Sequence, residues 1–408
     1  MTWSTAENED GTLFYHCPEK QYHSEKILAL DLDWTLIQPE IGKRFPISED
    51  DWGFRFPTKK VKEYYDKGYK IIVLSNQKST YDGKHAMNIE GFKRRWKNIS
   101  AALGFPVYLL AAPKDDFYRK PSPGMWNYVV NNLNNGLKID KSKCIFVGDA
   151  AGRVRQGKKA GDFAASDLKM ALNAGIPFQT PEQFFNGEAY DQKSAEESMK
   201  TYDAKELVDD VKNIHQTNQV SMEKLDKLFS GVPLVKGRNL ARVLMMCGSP
   251  SSGKSTMARK ILKLANQKSS GWELLSLDAL KNKVKMKAMI SKVLRESTTG
   301  GVIIDCTNGS LVSREEWFQI AQLHKTPILC LHMMTSKSLA FHLNNLRKSR
   351  RGVNDNYHSK SVPNVAIHRY FKTYEEPGID EGFQDIIELQ FEPSFTTKRE
   401  KEEFLLRF

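Results

Sequence analysis

No segment restricts this chain more than Gly248-Ser249-Pro250-Ser251-Ser252-Gly253-Lys254-Ser255. It follows the apolar run Val243–Cys247 directly and opens a stretch, Thr256–Ala265, with the apolar spacing of a helix. A G-x-x-x-x-G-K-S turn between strand and helix has a well-defined use. Backbone amides and the helix N-terminus cradle a row of phosphates, the lysine reaches the β and γ groups, and the following hydroxyl ligates magnesium. The residues expected on the nucleotide are Gly248, Ser249, Ser252, Gly253, Lys254, Ser255 and Thr256, with Ser255 also on the metal. The plain alternative, a chance Gly-Lys-Ser turn, leaves the complete motif and its flanks unexplained.

Such a loop implies a parallel sheet, and the chain carries the pattern of one in each half. Short apolar runs at Ile27–Leu30, Ile71–Leu74, Val107–Leu110, Ile145–Val147, Val302–Ile304 and Ile328–Leu331 alternate with helix-like stretches such as Thr58–Lys67 and Glu90–Leu103. Strands that are continuously apolar are those covered by helices on both faces. A chain of 408 residues also exceeds what one core usually serves. The expected fold is α/β, with two doubly wound parallel-sheet domains. Residues 1–25 read as an N-terminal extension, 26–187 as the first domain, 188–237 as a polar helical connector, 238–395 as the second domain and 396–408 as a tail. Ligands of such sheets collect at the carboxyl ends of the strands.

In the first half, the strand Ile27–Leu30 runs into Asp31-Leu32-Asp33-Trp34-Thr35. Two carboxylates so close can share one site, one attacking phosphorus and the other handling the leaving-group proton. They repel unless a cation sits between them, which favours magnesium, a hard ion suited to oxygen ligands. Ser75-Asn76 then offers a hydroxyl and an amide to phosphate oxygens. Arg119-Lys120 supplies positive charge for a phosphoryl group in transit, and Gly148-Asp149 adds a carboxylate for the metal. Each alone reads equally as a cap, a surface cation or a turn acid; their order gives them weight. That order resembles the haloacid-dehalogenase phosphatase superfamily. The resemblance implies Asp31 as a nucleophile passing through an aspartyl-phosphate, Asp33 as general acid and base, Lys120 as charge clamp, and Asp31, Asp33 and Asp149 around Mg2+. About 40 residues separate Asp33 from Ser75, and a similar number Asn76 from Lys120, room for a helix and its loops but not for a cap domain. An open cleft suits a bulky substrate.

The second half has no Asn-Lys-x-Asp after its loop, so guanine specificity is not expected. Asp278, after Leu274-Leu275, sits where a carboxylate can take the proton of an attacking hydroxyl. An N-cap for a helix starting at Ala279 is the ordinary alternative. Asp305 closes the run Val302–Ile304, and Thr307-Asn308 beyond it are expected to face nucleotide or acceptor. The basic segment Asn344–Gly352 has the character of a lid over ATP, with Arg347 and Arg350 as candidate contacts. A solvated helix end is the alternative there.

A magnesium phosphatase ahead of a phosphate-loop kinase resembles the polynucleotide kinase 3′-phosphatase family between Lys26 and Phe391. Beyond the motifs, the likeness rests on Asn76-Gln77, Arg119-Lys120-Pro121 with Gly124-Met125-Trp126, Phe146–Arg153, Asp162, Asp167, Thr180-Pro181-Glu182 and Tyr370 with Glu376-Pro377. Gly83-Lys84 persists within a divergent loop, which places Lys84 with Ser75, Asn76 and Arg119 among the expected substrate contacts. The resemblance implies DNA with 3′-phosphate and 5′-hydroxyl termini at nicks, gaps or breaks, with ATP and Mg2+ as co-substrate and cofactor. It also implies strand-break repair and nuclear residence. Three departures stand out. Residues 1–25 are too few for the forkhead-associated domain many members carry, so scaffold docking through one is not expected. Trp34 stands where the family usually has glycine, and Leu277 where it has an arginine.

Charge agrees with a polyanionic partner, at a formal +12. No apolar run approaches the roughly 20 residues a membrane span needs, so no membrane partner is expected. The five scattered cysteines read as buried thiols rather than a disulfide or zinc framework. Within Phe92-Lys93-Arg94-Arg95-Trp96-Lys97, the two aromatics read as core, with the lysines outward. Two alternatives stay open at this stage. One is a small-molecule kinase fused to a metabolite phosphatase; the other is a DNA-end sensor with one inactive head, resting on Trp34 and Leu277.

Overall fold

A computed structural model of the chain describes residues 2–41, 46–81, 88–154, 161–162, 164–199, 202–350 and 362–408. The chain divides into two compact units. The first comprises Met1–Tyr202 with Asn345–Lys360 and Glu402–Phe408; the second comprises Asp203–Asn344 with Ser361–Lys401.

The strands of the first unit are β1 (Thr2–Asn8), β2 (Gly11–Cys17), β3 (Ile27–Leu30), β4 (Ile37–Gln38), β5 (Gly53–Phe54), β6 (Lys70–Asn76), β7 (Tyr108–Ala112), β8 (Ile145–Val147) and β9 (Phe178–Gln179). Seven of them form one sheet in the order β1-β2-β7-β6-β3-β8-β9, while β4 pairs with β5 alone. From β7 to β9 every pairing is parallel. Side chains alternate between two cores: Ile27, Ala29, Ile72, Leu74 and Leu110 on one face, Leu28, Leu30, Ile71, Val73 and Leu109 on the other. Both faces are dry, which is why these strands appear in the sequence as unbroken apolar runs. Among the described residues, only β4, β5 and the helix Lys59–Asp66 lie between Asp33 and β6, so nothing there closes over the strand ends as a domain.

Three boundaries differ from the sequence expectation. Residues 2–17 form a hairpin of the sheet, not an extension: β2 runs antiparallel to β7 with Phe14 opposite Ala111, and Leu13 is fully buried. Edge strands keep polar residues, and β1, reading TWSTAEN, was hidden by that polarity. The end of the chain also packs into the first unit. Lys169 Nζ donates to the Phe408 carbonyl at 2.8 Å, Asn173 Nδ2 donates to the Arg407 carbonyl at 3.0 Å, and Phe404 is buried. The polar connector divides, with helix Gln192–Ser198 in the first unit and helices Ala204–Asp209 and Val211–Phe229 in the second.

The second unit has an all-parallel sheet of β10 (Val243–Cys247), β11 (Glu273–Ser276), β12 (Val302–Asp305), β13 (Ile328–Met334) and β14 (Asp385–Gln390), in the order β11-β12-β10-β13-β14. Leu244 and Met246 point into one core; Val243, Met245 and Cys247 point into the other. Strand β10 is central, and helix Lys254–Lys268 leaves its carboxyl end. Among the described residues no helix is long and apolar enough to cross a membrane.

Candidate active sites

In the first unit, the Asp31 amide donates to the Val147 carbonyl at 2.8 Å, prolonging the β3–β8 pairing by one residue. The carboxyl ends of these two strands, carrying Asp31 and Asp149, are thereby held side by side. Thr35, fully buried, accepts from the Asp149 amide at 3.0 Å. A third acid arrives from the first turn of helix Ser166–Ala174: Asp167, 1% exposed, accepts from the Ala150 amide at 3.1 Å. A Cβ on Gly148 would lie 2.5 Å from the Asp167 carboxylate, so only glycine lets the two approach. Asp31, Asp149 and Asp167 offer oxygens that all lie within 4.8 Å of one another. Into them reaches Lys120, 3% exposed, at 2.5 Å from Asp31 and 2.7 Å from Asp167.

The electrostatics follow from burial and from this crowding. Burial raises the Asp31 pKa well above the carboxylate range; Lys120 opposes the rise and Asp167 and Asp149 add to it. Asp149 is pushed up to about 7, by burial first and Asp167 second. Burial alone would lower Lys120, but Asp167 and Asp31 outweigh it and hold the ammonium firmly charged. Three carboxylates against one ammonium leave the cluster short of positive charge.

Several expected residues take different places. Asp33 lies outside the three-acid cluster: its Oδ2 accepts from Gln77 Nε2 at 2.8 Å, and its Oδ1 lies 3.6 Å from Arg95 Nη2. Asn76 does not keep its amide for phosphate. Its Nδ2 donates to the Lys120 carbonyl at 3.1 Å and its Oδ1 accepts from the Lys120 amide at 3.0 Å, so it holds the backbone of the clamp lysine. Ser75 is buried and accepts from Gln77 at 2.9 Å, and Arg119 pairs with Asp115 at 3.3 Å. Lys84 lies outside the described residues. Asp167, Gln77 and Arg95 had no assigned role in the sequence. An acid in the first turn of a helix looks like an ordinary dipole partner, so nothing local marks Asp167. Trp34 has φ 61, the left-handed region where glycine is at ease, so the glycine that the resemblance leads one to expect there would suit this turn. Phe92 and Trp96 are both core, at 1% exposure.

In the second unit, the phosphate-loop sequence forms a donor-lined turn. The Gly248 amide donates to the Thr307 carbonyl at 3.0 Å, fixing the loop beside β12. Gly253 caps helix Lys254–Lys268 at φ 88, and a Cβ there would meet Phe391 at 2.9 Å. The hydroxyls of Ser249 and Ser252 are buried without a hydrogen-bond partner. Lys254, 8% exposed, folds back to donate to the Ser249 carbonyl at 2.5 Å. Burial lowers its pKa to about 8, with Asp305 the foremost opposing charge and Asp278 also contributing. Buried donors without acceptors are costly, and a bound polyphosphate supplies the acceptors.

Asp305 is buried at the end of β12. Asp278 is exposed in the first turn of helix Leu277–Leu280; the N-cap is Ser276, so capping is not the role of Asp278. Leu277 packs partly buried against the core. Thr307 is exposed, but Asn308 faces inward and is used up there, a correction to its expected ligand role. Its Nδ2 donates to the Met246 carbonyl at 2.7 Å and its Oδ1 accepts from Trp317 Nε1 at 2.9 Å. Of the lid arginines, Arg350 pairs with Glu403 at 2.9 Å, and burial lowers the pKa of Arg347. Residues 351–352, the rest of that segment, lie outside the described residues.

Two strand-end sites, one acid-rich and one donor-rich, define a phosphoryl-transfer protein with two centres. Comparison with known proteins specifies it further. The polynucleotide kinase 3 phosphatase family matches residues 26–185, and an AAA domain family matches residues 243–377. A bifunctional polynucleotide phosphatase/kinase of Schizosaccharomyces pombe is 32% identical over 371 residues, covering 90% of this chain and 80% of that protein. A putative bifunctional polynucleotide phosphatase/kinase of Acanthamoeba polyphaga mimivirus is 28% identical over 405 residues, 91% of this chain and 86% of that one. A polynucleotide 3′-phosphatase of Arabidopsis thaliana is 30% identical over 176 residues, 40% of this chain and 24% of that one. The chain belongs to the bifunctional polynucleotide phosphatase/kinase family. It is an enzyme with a polynucleotide 3′-phosphatase in its first half and a polynucleotide kinase in its second.

Proposed function

We propose that this enzyme heals DNA ends at nicks, gaps and breaks, removing 3′-phosphate in the first unit and phosphorylating 5′-hydroxyl with ATP in the second. The observation that carries the phosphatase half is Lys120 lodged between Asp31 and Asp167, with Asp149 beside them. Asp31 attacks phosphorus, the bond to the 3′-oxygen breaks, and Asp33 gives that oxygen its proton. Water then attacks the aspartyl-phosphate, Asp33 takes the water proton, and Asp31 is released. Lys120 balances charge on the phosphoryl oxygens throughout. The charge deficit of Asp31, Asp149 and Asp167 fits a hard divalent ion, and these three would hold Mg2+. When bound, that ion would neutralise the cluster and the phosphoryl group together.

In the kinase, the unsatisfied hydroxyls of Ser249 and Ser252 fit the phosphates of ATP, as do the loop amides and Lys254. Ser255 and Asp305 would hold its magnesium, and Asp278, exposed to an incoming end, would take the 5′-hydroxyl proton. The formal charge of +12 supports a polyanionic substrate. End-labelled nicked DNA, matched RNA and free nucleotides, assayed side by side, test the reading; turnover of free nucleotides alone would sink it. Nuclear residence and strand-break repair belong to the same proposal. A tagged chain excluded from the nucleus, or cells without the enzyme that repair oxidative breaks normally, would overturn that part.

A further inference from the structure

The helix Ile89–Leu103 buries Phe92, Arg95, Trp96 and Ile99, the spacing of one continuous core stripe. A guanidinium in the middle of such a stripe is out of place unless it does something there. Its neighbours behave ordinarily: Lys93 reaches Glu90 at 2.8 Å and Arg94 reaches Glu49 at 2.6 Å, both toward solvent. Arg95 alone of the three turns inward. Its side chain is 1% exposed, and its Nε and Nη2 are buried with no hydrogen-bond partner. Its Nη2 lies 3.6 Å from Asp33 Oδ1, just beyond hydrogen-bond reach.

The other oxygen of Asp33 is already held. Gln77 Nε2 donates to Oδ2 at 2.8 Å, and Gln77 is itself fixed by Thr80, whose hydroxyl donates to its Oε1 at 2.9 Å. We infer that Arg95 is a positioning residue of the phosphatase, a buried cation that completes a two-sided frame around the Asp33 carboxylate and aims it at the leaving 3′-oxygen. The inference rests on the proposed acid–base role of Asp33. It assigns Arg95 no contact with substrate. A frame of this kind matters most where the leaving oxygen needs a proton as the phosphorus–oxygen bond breaks. A sugar 3′-hydroxyl, a poor leaving group, needs it; the phenolate of p-nitrophenyl phosphate leaves without it.

The test is the full chain carrying Arg95→Met or Arg95→Lys, assayed on a 3′-phosphorylated oligonucleotide and on p-nitrophenyl phosphate, with amide hydrogen exchange in β3 as the measure of an intact first unit. Arg95→Met should lower kcat/KM on the oligonucleotide by about tenfold or more, with a much smaller loss on the aryl ester; kcat/KM reads only as far as departure of the leaving group and so leaves out the aspartyl-phosphate hydrolysis that both substrates share. Arg95→Lys should recover most of that loss. Equal losses on both substrates, or no loss, would overturn the inference. If the Met variant does not accumulate, Arg95→Lys against the parent reads the same split between substrates, smaller in size, and its absence overturns the inference equally. Asp33→Asn separates the two layers. It should show the split itself and leave Arg95→Met nothing to add. No split with Asp33→Asn removes the acid–base reading. A split with Asp33→Asn but none with Arg95→Met or Arg95→Lys removes only the frame.

Discussion

Lys120 and Lys254 both lie beyond the carboxyl ends of parallel strands and are buried, 3% and 8% exposed, and each is proposed to meet a phosphoryl group. They are held in opposite ways. Lys120 sits between two carboxylates, which raise its pKa in spite of burial. Lys254 leans on the Ser249 carbonyl, and burial pulls it down to about 8. The phosphatase site is thus overfilled with negative charge and suited to a cation. The kinase loop is overfilled with donors and suited to an anion. Under the proposed mechanism the first would take up a hard cation before a phosphate, whereas the second offers its donors to the phosphates directly.

The largest effects should separate the two centres outright. Asp31→Asn should abolish 3′-phosphate removal, by at least about 10^3-fold, and leave phosphorylation intact; Lys254→Ala should do the reverse. Loss of both activities from either change would mean that the centres are not independent. Next come the two lysines as structural groups. Lys120→Met strands two buried carboxylates and should cost the first unit about 3 kcal/mol or more. Lys254→Met removes a desolvated cation that makes no ion pair among the described residues and should leave the second unit within about 1 kcal/mol of the parent, or above it. Hydrogen exchange in β3 and β10 reads each unit separately, and equal costs would erase the contrast.

A smaller effect bears on which acids bind metal. Mg2+ at a hundredfold excess over its Kd should stabilise the first unit by about 2.7 kcal/mol. Asp167→Asn should largely remove that gain, whereas Asp33→Asn should retain it, because the Asp33 carboxylate lies outside the cluster. The opposite pattern in thermal unfolding would restore the set expected from the sequence.

The fold was legible wherever strands are buried on both faces. β3, β6, β7, β8, β10, β12 and β13 appear as apolar runs because both sides of each are dry. The hairpin Thr2–Cys17 was not legible, since an edge is partly wet and its sequence polar. The same logic divides the sites. Asp31, Asp149 and Lys254 announce themselves because a strand end or a glycine turn forces their neighbours as well, and Lys120 is marked by its order among these motifs. Asp167 and Arg95 are brought in by helices packed on the sheet, and no local pattern records that; Gln77 follows β6 directly but turns to Asp33. Asn76 and Asn308 err the other way. Both sit at strand ends as ligands should, and both spend their amides on backbone or core partners. Trp34, a departure by residue type, sits in the aspartate turn at φ 61, a conformation that glycine adopts without cost and a large side chain does not.

The finest test of the contrast is the pH dependence of ATP binding. In the free enzyme Lys254 is held down to about 8, by burial first, so above that pH most molecules carry it neutral. The phosphates of ATP favour the charged form, and binding then raises its pKa. Below pH 8 the lysine is charged in both states and contributes no slope. Above it, binding must take up a proton, and affinity should fall by up to about tenfold per pH unit until the raised value is reached. Titration calorimetry at pH 9, in two buffers of different ionisation enthalpy, should register an uptake close to one proton, and Lys254→Met should abolish it. The same measurement on a 3′-phosphorylated oligonucleotide and the first unit should show no such uptake from Lys120, whose carboxylate partners keep it charged throughout. Uptake absent at pH 9 would mean that Lys254 is charged before ATP arrives. The two lysines would then differ in their partners but not in their readiness for phosphate.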